Sequence, residues 1–223
     1  LRGLGGIPPR RGRYVRPLLA VSHAQAREYL RARGTGWREN ATNAEDGCQR
    51  NRLRHGVLPL LAAETPELPL RVTHNDTKLN NVLFDRQTRK ALCVLDLDTV
   101  MPGSSLYDYG DSIRFGANHS AEDERDLSKV NFDLPLFDIY TKGFLEGAAG
   151  TLTDAEKEYL PWGAKLMTLE CGIRFLTDYL EGDTYFKIHR DGQNLDRCRT
   201  QFKLVRDMEA RWDEMAAVVK KYS

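Results

Sequence analysis

The sequence predicts a mainly α-helical protein with a small β-hairpin region, an α+β fold, and three observations carry that prediction. Apolar residues recur at steps of three and four over long stretches, most clearly from Leu195 to Tyr222. Capping signals of the Ser/Thr-x-x-Glu/Gln kind open several of these stretches. Between about Arg71 and Thr99 the texture changes to short β-type runs separated by polar turns. The chain has 223 residues, 41% of them hydrophobic, enough to bury the core of one domain with a small appendage.

Composition narrows the function classes. Lys and Arg number 33 against 32 Asp and Glu, and a net charge of +1 spread over balanced charges argues against a nucleic-acid or membrane-surface protein held by bulk electrostatics. No apolar run reaches the roughly 18 residues a bilayer span requires. The N-terminus lacks the apolar centre of a signal peptide, and Cys48, Cys93, Cys171 and Cys198 are too widely spaced for a CxxC metal or redox motif. A reducing, cytoplasmic setting follows.

Along the chain, residues 1–20 read as a basic tail rich in Gly, Pro and Arg, with Arg2, Arg10, Arg11, Arg13 and Arg16 and no acidic residue before Glu28. Residues 21–223 read as one lobe. Ser22 with Gln25 opens a helix ending near Gly34, Thr42 with Glu45 opens another, and Pro59 kinks or ends it. Strands are expected at Arg71-Val72-Thr73, Val82-Leu83-Phe84 and Ala91 to Leu95. The last run is continuous in hydrophobicity, which suits a strand covered on both faces, and Asp85 to Lys90 reads as a hairpin loop. Helices then resume, with Asp108 and Asp111 at N-cap and N3-like positions, Pro135 at N1, and a Thr153/Glu156 capping box before a segment running to about Glu181. A single final helix carries Leu195, Cys198, Phe202, Val205, Met208, Trp212, Met215, Val219 and Tyr222 on one stripe, read as core packing.

One segment stands apart from this scaffold. His74-Asn75-Asp76-Thr77-Lys78-Leu79-Asn80-Asn81, followed after the hairpin by Leu95-Asp96-Leu97-Asp98, reads as a phosphoryl-transfer site. That reaction needs a carboxylate near the attacking hydroxyl and hard oxygen ligands that hold Mg²⁺ against phosphates. Asp76 suits the first role, Asn81 and Asp96 the second. In an extended stretch Asp98 would face the same side as Asp96, giving either a second metal contact or a loop hydrogen bond. Lys78 either steadies a phosphate or faces solvent, and His74 orders the loop through hydrogen bonds.

On these residues the chain resembles the eukaryotic-type kinase superfamily, within it the aminoglycoside and choline phosphotransferase-like small-molecule kinases, and more narrowly bacterial N-acetylhexosamine 1-kinases. The resemblance rests on His74, Asp76 and Asn81, on the phrases Val72 to Phe84 and Asp96 to Gly103, on Tyr107-Asp108-Tyr109-Gly110-Asp111, and on Leu169 to Phe175. It implies a protein-kinase-like C-terminal lobe from about residue 40 onward, with Asp76 as catalytic base, Lys78 beside it, and Asn81 and Asp96 binding the Mg²⁺ of ATP. It further implies a sugar acceptor, GlcNAc or GalNAc, contacted by Asp76, Phe115, Arg174 and Tyr185, and an ATP-dependent transferase of carbohydrate metabolism that is monomeric and binds neither nucleic acid nor membrane. Asp108 resembles the acid that braces the catalytic loop. Asn75 and Asp96-Leu97-Asp98 depart from the protein-kinase pattern and favour a metabolite acceptor.

The same resemblance calls for an N-terminal lobe with a Gly-rich loop and a strand lysine, which is not found upstream of residue 70; Gly3-Leu4-Gly5-Gly6 has no preceding strand. The expected chain is therefore a hinge plus a C-lobe, arising as a fragment, a shortened gene model or a real loss. Alternative readings are an aminoglycoside, choline or homoserine kinase, with Asp178, Glu181 and Asp183 meeting a cationic acceptor, and an inactive sugar-binding module.

Overall fold

The computed structural model describes residues 68–223. The chain divides into two units, residues 1–64 and 65–223, and every described residue belongs to the second. The expected tail at 1–20, the Ser22/Gln25 and Thr42/Glu45 caps, Pro59 and the Gly3 to Gly6 run lie outside the described residues.

Among the described residues two small antiparallel sheets come first. Strand β1 (Arg71–Thr73) pairs with β4 (Met101–Gly103), and β2 (Val82–Phe84) pairs with β3 (Ala91–Val94). A bulge lies between Leu83 and Phe84, and the 85–90 hairpin closes through a bond from the Asp85 N–H to the Lys90 carbonyl at 2.8 Å. Asp85 caps that turn with its carboxylate, accepting the Thr88 N–H at 2.6 Å and the Thr88 hydroxyl at 2.7 Å.

The expectation of a strand covered on both faces is overturned, because all four residues of β3 are exposed. A continuous apolar run reports strand propensity and side-chain chemistry; whether a layer lies over each face depends on the rest of the chain, and among the described residues none covers β2 and β3.

Six helices follow: α1 (Ser105–Gly116), α2 (Leu134–Ala148), α3 (Asp154–Glu158), α4 (Leu160–Leu180), α5 (Gln193–Ala210) and α6 (Trp212–Tyr222). Ser104 caps α1 by accepting the Leu106 N–H, so Asp108 is not the cap; it lies in the first turn with its carboxylate turned to β1 and the loop after it. Pro135 sits in the first turn of α2 behind an Asp133 cap, and Thr153 with Glu156 closes a reciprocal capping box on α3. The expected single final helix is two, broken at Arg211, where φ is −115° and ψ 24°. The break lets Trp212 meet Trp162 of α4 edge to face, ring centroids 4.7 Å apart.

The core forms between α1, α2, α4 and the last two helices, around Leu106, Tyr109, Ile113, Phe137, Leu160, Ala164, Leu204, Met208, Met215 and Val219. Close approach of α1 to α4 depends on two glycines: a Cβ on Gly110 would collide with the Gly163 carbonyl, and one on Gly163 would come within 2.6 Å of the Leu106 carbonyl oxygen. Tyr109 is fully buried and pairs its hydroxyl with Thr141 at 2.8 Å, and burial pushes its phenol upward. Among the described residues no helix is long and apolar enough to cross a membrane.

Candidate functional site

The loop after β1 is built by hydrogen bonds to its backbone. Asp108 accepts the N–H groups of His74 and Asn75, each at 2.8 Å, and its carbonyl accepts the Thr77 hydroxyl at 2.6 Å. Ser112, one turn further along α1, donates to the Thr77 carbonyl at 3.0 Å. Asn75 adopts a left-handed conformation, φ 65°, which Asn tolerates better than most residues because its short amide bonds locally. Here that amide donates to the Thr99 carbonyl at 3.0 Å and accepts from the Thr73 hydroxyl at 3.0 Å. His74 has an ordering role as well: one ring nitrogen meets the Leu95 carbonyl at 2.8 Å, the other accepts the Asp76 N–H at 3.2 Å.

On this support Asp76, Lys78 and Asn81 meet directly. Lys78 Nζ lies 2.7 Å from Asp76 Oδ2, and the Asn81 amide donates to the same oxygen at 2.9 Å and to the Asp76 carbonyl at 2.9 Å. Asn81 is buried in a short 3₁₀ turn (Leu79–Asn81), while Asp76 and Lys78 are half-buried. Burial works to raise the Asp76 carboxyl, but hydrogen bonds from Lys78 and Asn81, with the charge of Lys78, hold it below the usual carboxylate range. The hydrogen bond to Asp76 raises Lys78, burial opposes this, and the charges of Asp76, Asp96 and Asp111 add to the rise. A carboxylate held ionised by an ammonium partner is a weak proton acceptor and a strong electrostatic anchor.

Asp96 joins this group from the next element. Leu95 donates its N–H to the Asn81 carbonyl at 2.8 Å, which brings the end of β3 against the 3₁₀ turn, and Asp96 follows with φ at 61°. Its carboxylate is exposed and acts on Lys78 through its charge. Asp98 stands differently from the expectation: residues 97–99 form a 3₁₀ turn, so the extended geometry that would put it on the side of Asp96 is not present.

The donor chemistry fits a hard divalent cation. Asn81 uses its amide N–H groups on Asp76, which leaves its carbonyl oxygen as the atom available to a ligand, and the Asp96 carboxylate is the second oxygen donor. No cluster of three His, Cys, Asp or Glu able to hold a metal occurs among the described residues.

The remaining candidates form a second group. Arg174 pairs with Glu170 at 3.7 Å, and its guanidinium lies over the Tyr185 and Phe186 rings at 5.7 and 5.4 Å. Tyr185 is 73% exposed. Phe115 is brought together with Arg114, whose guanidinium sits 4.3 Å from its ring centre, rather than with Tyr185. Burial raises Glu170, while the charges of Arg174 and Arg114 oppose the rise. Asp178 is no free acid for a cationic ligand: it is buried, accepts the N–H groups of Thr184, Tyr185 and Phe186, and takes a bond from Asn194. Sequence reasoning passed over Thr99, whose hydroxyl donates to the His74 carbonyl at 2.6 Å; a threonine directly after an Asp-x-Asp turn was the available signal.

Comparison with known proteins adds a different finding. Residues 1–61 match the family model of the PP-loop domain. A tRNA(Ile)-lysidine synthase of Treponema denticola is 49% identical over 59 residues, 26% of this chain and 13% of that protein. The enzyme of the same name from Solibacter usitatus is 54% identical over 63 residues, 28% of this chain and 14% of its own length, and that of Thermus thermophilus is 51% identical over 61 residues, 27% and 12% respectively. The chain thus spans less than a sixth of the length of these relatives.

These matches overturn the reading of the chain as an N-acetylhexosamine 1-kinase of the aminoglycoside phosphotransferase group, and with it the sugar acceptor, the kinase activity and the place in carbohydrate metabolism. The family model lies on residues 1–61, upstream of the His74 to Asn81 loop on which that reading was built. They overturn the exclusion of nucleic acid too, since the relatives are named for a tRNA. The physical error was to treat net charge as evenly spread. Residues 1–61 hold 12 Arg and no Lys against 4 acidic residues, while the remainder holds 21 basic against 28 acidic residues, so a total near zero conceals a strongly basic segment.

Proposed function

We propose that the chain takes part in ATP-dependent modification of a tRNA, of the kind for which its matched relatives are named. The observation that carries this reading is identity of about one residue in two to tRNA(Ile)-lysidine synthases, 49% over 59 and 54% over 63 residues in two separate relatives, beside the match of residues 1–61 to the PP-loop domain. The arginine excess of residues 1–61 supports it, because guanidinium groups meet phosphate in a bidentate fork and neutralising a nucleic-acid backbone releases its counterions. Titration of the 223-residue chain with a tRNA(Ile) transcript at 50 and 200 mM salt tests the reading. Binding that weakens at least tenfold across that range is expected. No binding at the lower salt, or binding indifferent to salt, would overturn it. Incorporation of labelled lysine into the transcript, dependent on ATP, tests the finer assignment to lysidine formation.

A second reading belongs to residues 74–98 and is favoured by the Asp76, Lys78 and Asn81 contacts. We propose that Asn81 and Asp96 hold Mg²⁺, that Lys78 meets a nucleotide phosphate, and that Asp76 fixes both Lys78 and Asn81 by accepting from each. Mg²⁺, when bound, offsets the charge of the phosphate oxygens. Electron paramagnetic resonance with Mn²⁺ tests the metal assignment. Micromolar to millimolar binding that Asn81→Ala weakens is expected, and equal binding by wild type and variant would remove Asn81 from the site.

A further inference from the structure

Two stretches of backbone supply the metal and phosphate groups, residues 74–81 and 95–99, and their relative position is set by a small number of hydrogen bonds. At the leading end of the second stretch, Leu95 is tied twice: its N–H donates to the Asn81 carbonyl at 2.8 Å, and its carbonyl meets the His74 ring at 2.8 Å. At the trailing end Thr99 is tied twice as well. Its hydroxyl donates to the His74 carbonyl at 2.6 Å, and its own carbonyl accepts the Asn75 amide at 3.0 Å. Asp96 sits between these two anchors with φ at 61°, in the left-handed region that Asp and Asn enter more readily than most residues.

We infer that Thr99 is a positioning residue, which fixes the turn bearing Asp96 against the loop bearing Asp76 and Asn81 and thereby sets the spacing of the two metal ligands. The inference rests on the metal reading given above. Thr99 touches neither metal nor phosphate; it acts through His74 and Asn75. Removing its hydroxyl takes away one of the two ties at the trailing end of the turn, so the Asp96 carboxylate gains freedom while the helices are left as they are. The bond from the Asn75 side-chain amide to the Thr99 carbonyl does not involve the Thr99 side chain and survives its replacement, which limits the damage to the hydroxyl's own contribution.

Mn²⁺ affinity of the 223-residue chain, read by electron paramagnetic resonance alongside the thermal midpoint, tests this with wild type, Asp96→Asn, Thr99→Val and Thr99→Ser. The expected pattern is loss of binding in Asp96→Asn, roughly tenfold weaker binding in Thr99→Val, the size of one hydrogen bond, and near wild-type affinity in Thr99→Ser, which keeps the hydroxyl. Thr99→Ala stands in for Thr99→Val should that variant fail to fold. Wild-type Mn²⁺ affinity that Asp96→Asn leaves unchanged would sink the metal reading itself. Loss in Asp96→Asn with unchanged affinity in Thr99→Val, or equal weakening in Thr99→Val and Thr99→Ser, would leave the metal reading standing and overturn the role given to Thr99.

Discussion

The helical body and the β segment of the described unit are held by different forces. From α1 to α6 large side chains turn inward, and Tyr109, Phe137, Leu160 and Met215 are fully buried. Between residues 70 and 101 the reverse holds: Leu70, Val72, Leu79, Leu83, Phe84, Leu92, Val94, Leu95, Leu97, Val100 and Met101 are all exposed, Val72 to 83%. That segment is fixed by polar contacts to its backbone, from Asp108, Thr99, Ser112 and His74, and by one buried carboxylate. Glu156, 1% exposed, takes two bonds from Arg71 of β1 at 2.9 and 2.6 Å and one from Ser105 of α1 at 2.8 Å. The candidate site lies in the region held by hydrogen bonds, where a few directional contacts can place a side chain without a surrounding core.

If this division is right, substitutions should sort by region, and the largest effect belongs to the helical body. Gly110→Ala drives a methyl group into the Gly163 carbonyl, so it should cost at least about 3 kcal/mol or prevent folding. A urea midpoint close to wild type would show that α1 and α4 are not packed backbone to backbone.

Next in size is the Arg71–Glu156 ionic contact, which joins the two regions. Glu156→Ala should lose on the order of 2–3 kcal/mol, because Ser105 loses its acceptor, Arg71 keeps only the Thr151 carbonyl, and the α3 capping box is removed. Burial works to raise this carboxyl, yet the bonds from Arg71, Thr153 and Ser105 hold it down to about 2 from an ordinary 4.5. Its folded value is the lower one, so its stabilisation is complete above pH 4.5 and declines as pH falls from 4.5 towards 2. Acid titration of the wild type and of Glu156→Gln should differ in that window; identical acid profiles would remove Glu156 as the link.

A smaller and more local effect is expected of Asp108→Ala, on the order of 1–2 kcal/mol. It should appear as faster hydrogen exchange at the His74 and Asn75 amides, which lose their acceptor, with the core amides of α4 unchanged. Uniform acceleration throughout would mean that the loop and the helices unfold as one. Smallest of all, Leu92→Ser on exposed β3 should move stability by less than about 0.5 kcal/mol. A loss of several kcal/mol there would reveal that β3 is covered.

Much of the local structure was legible in advance for reasons tied to particular residues. The Thr153/Glu156 box is a contact three residues apart and depends on nothing distant. The hairpin of β2 and β3 follows from two β-type runs around a polar loop that Asp85 caps. The break at Arg211 was not legible, because the apolar stripe from Leu195 to Tyr222 runs through it without Gly or Pro and the turn serves the meeting of Trp212 with Trp162. The N-cap position expected for Asp108 belongs to Ser104, whereas the bracing of the loop that the resemblance implied for Asp108 is present: its carboxylate accepts N–H groups more than thirty positions away in sequence.

Sequence by itself determined the residue types and their local register: an Asp, a Lys and an Asn within six positions, the capping boxes, and a segregation of Arg into residues 1–61 that a total near zero concealed. These are properties of composition and of neighbours along the chain. Tertiary structure alone decided that Lys78 and Asn81 converge on one Asp76 oxygen, that Thr99 closes onto His74, and that the apolar strand β3 faces outward. Each depends on which distant backbone comes to lie alongside, and hydrogen-bond direction and burial are set by that approach rather than by the order of residues.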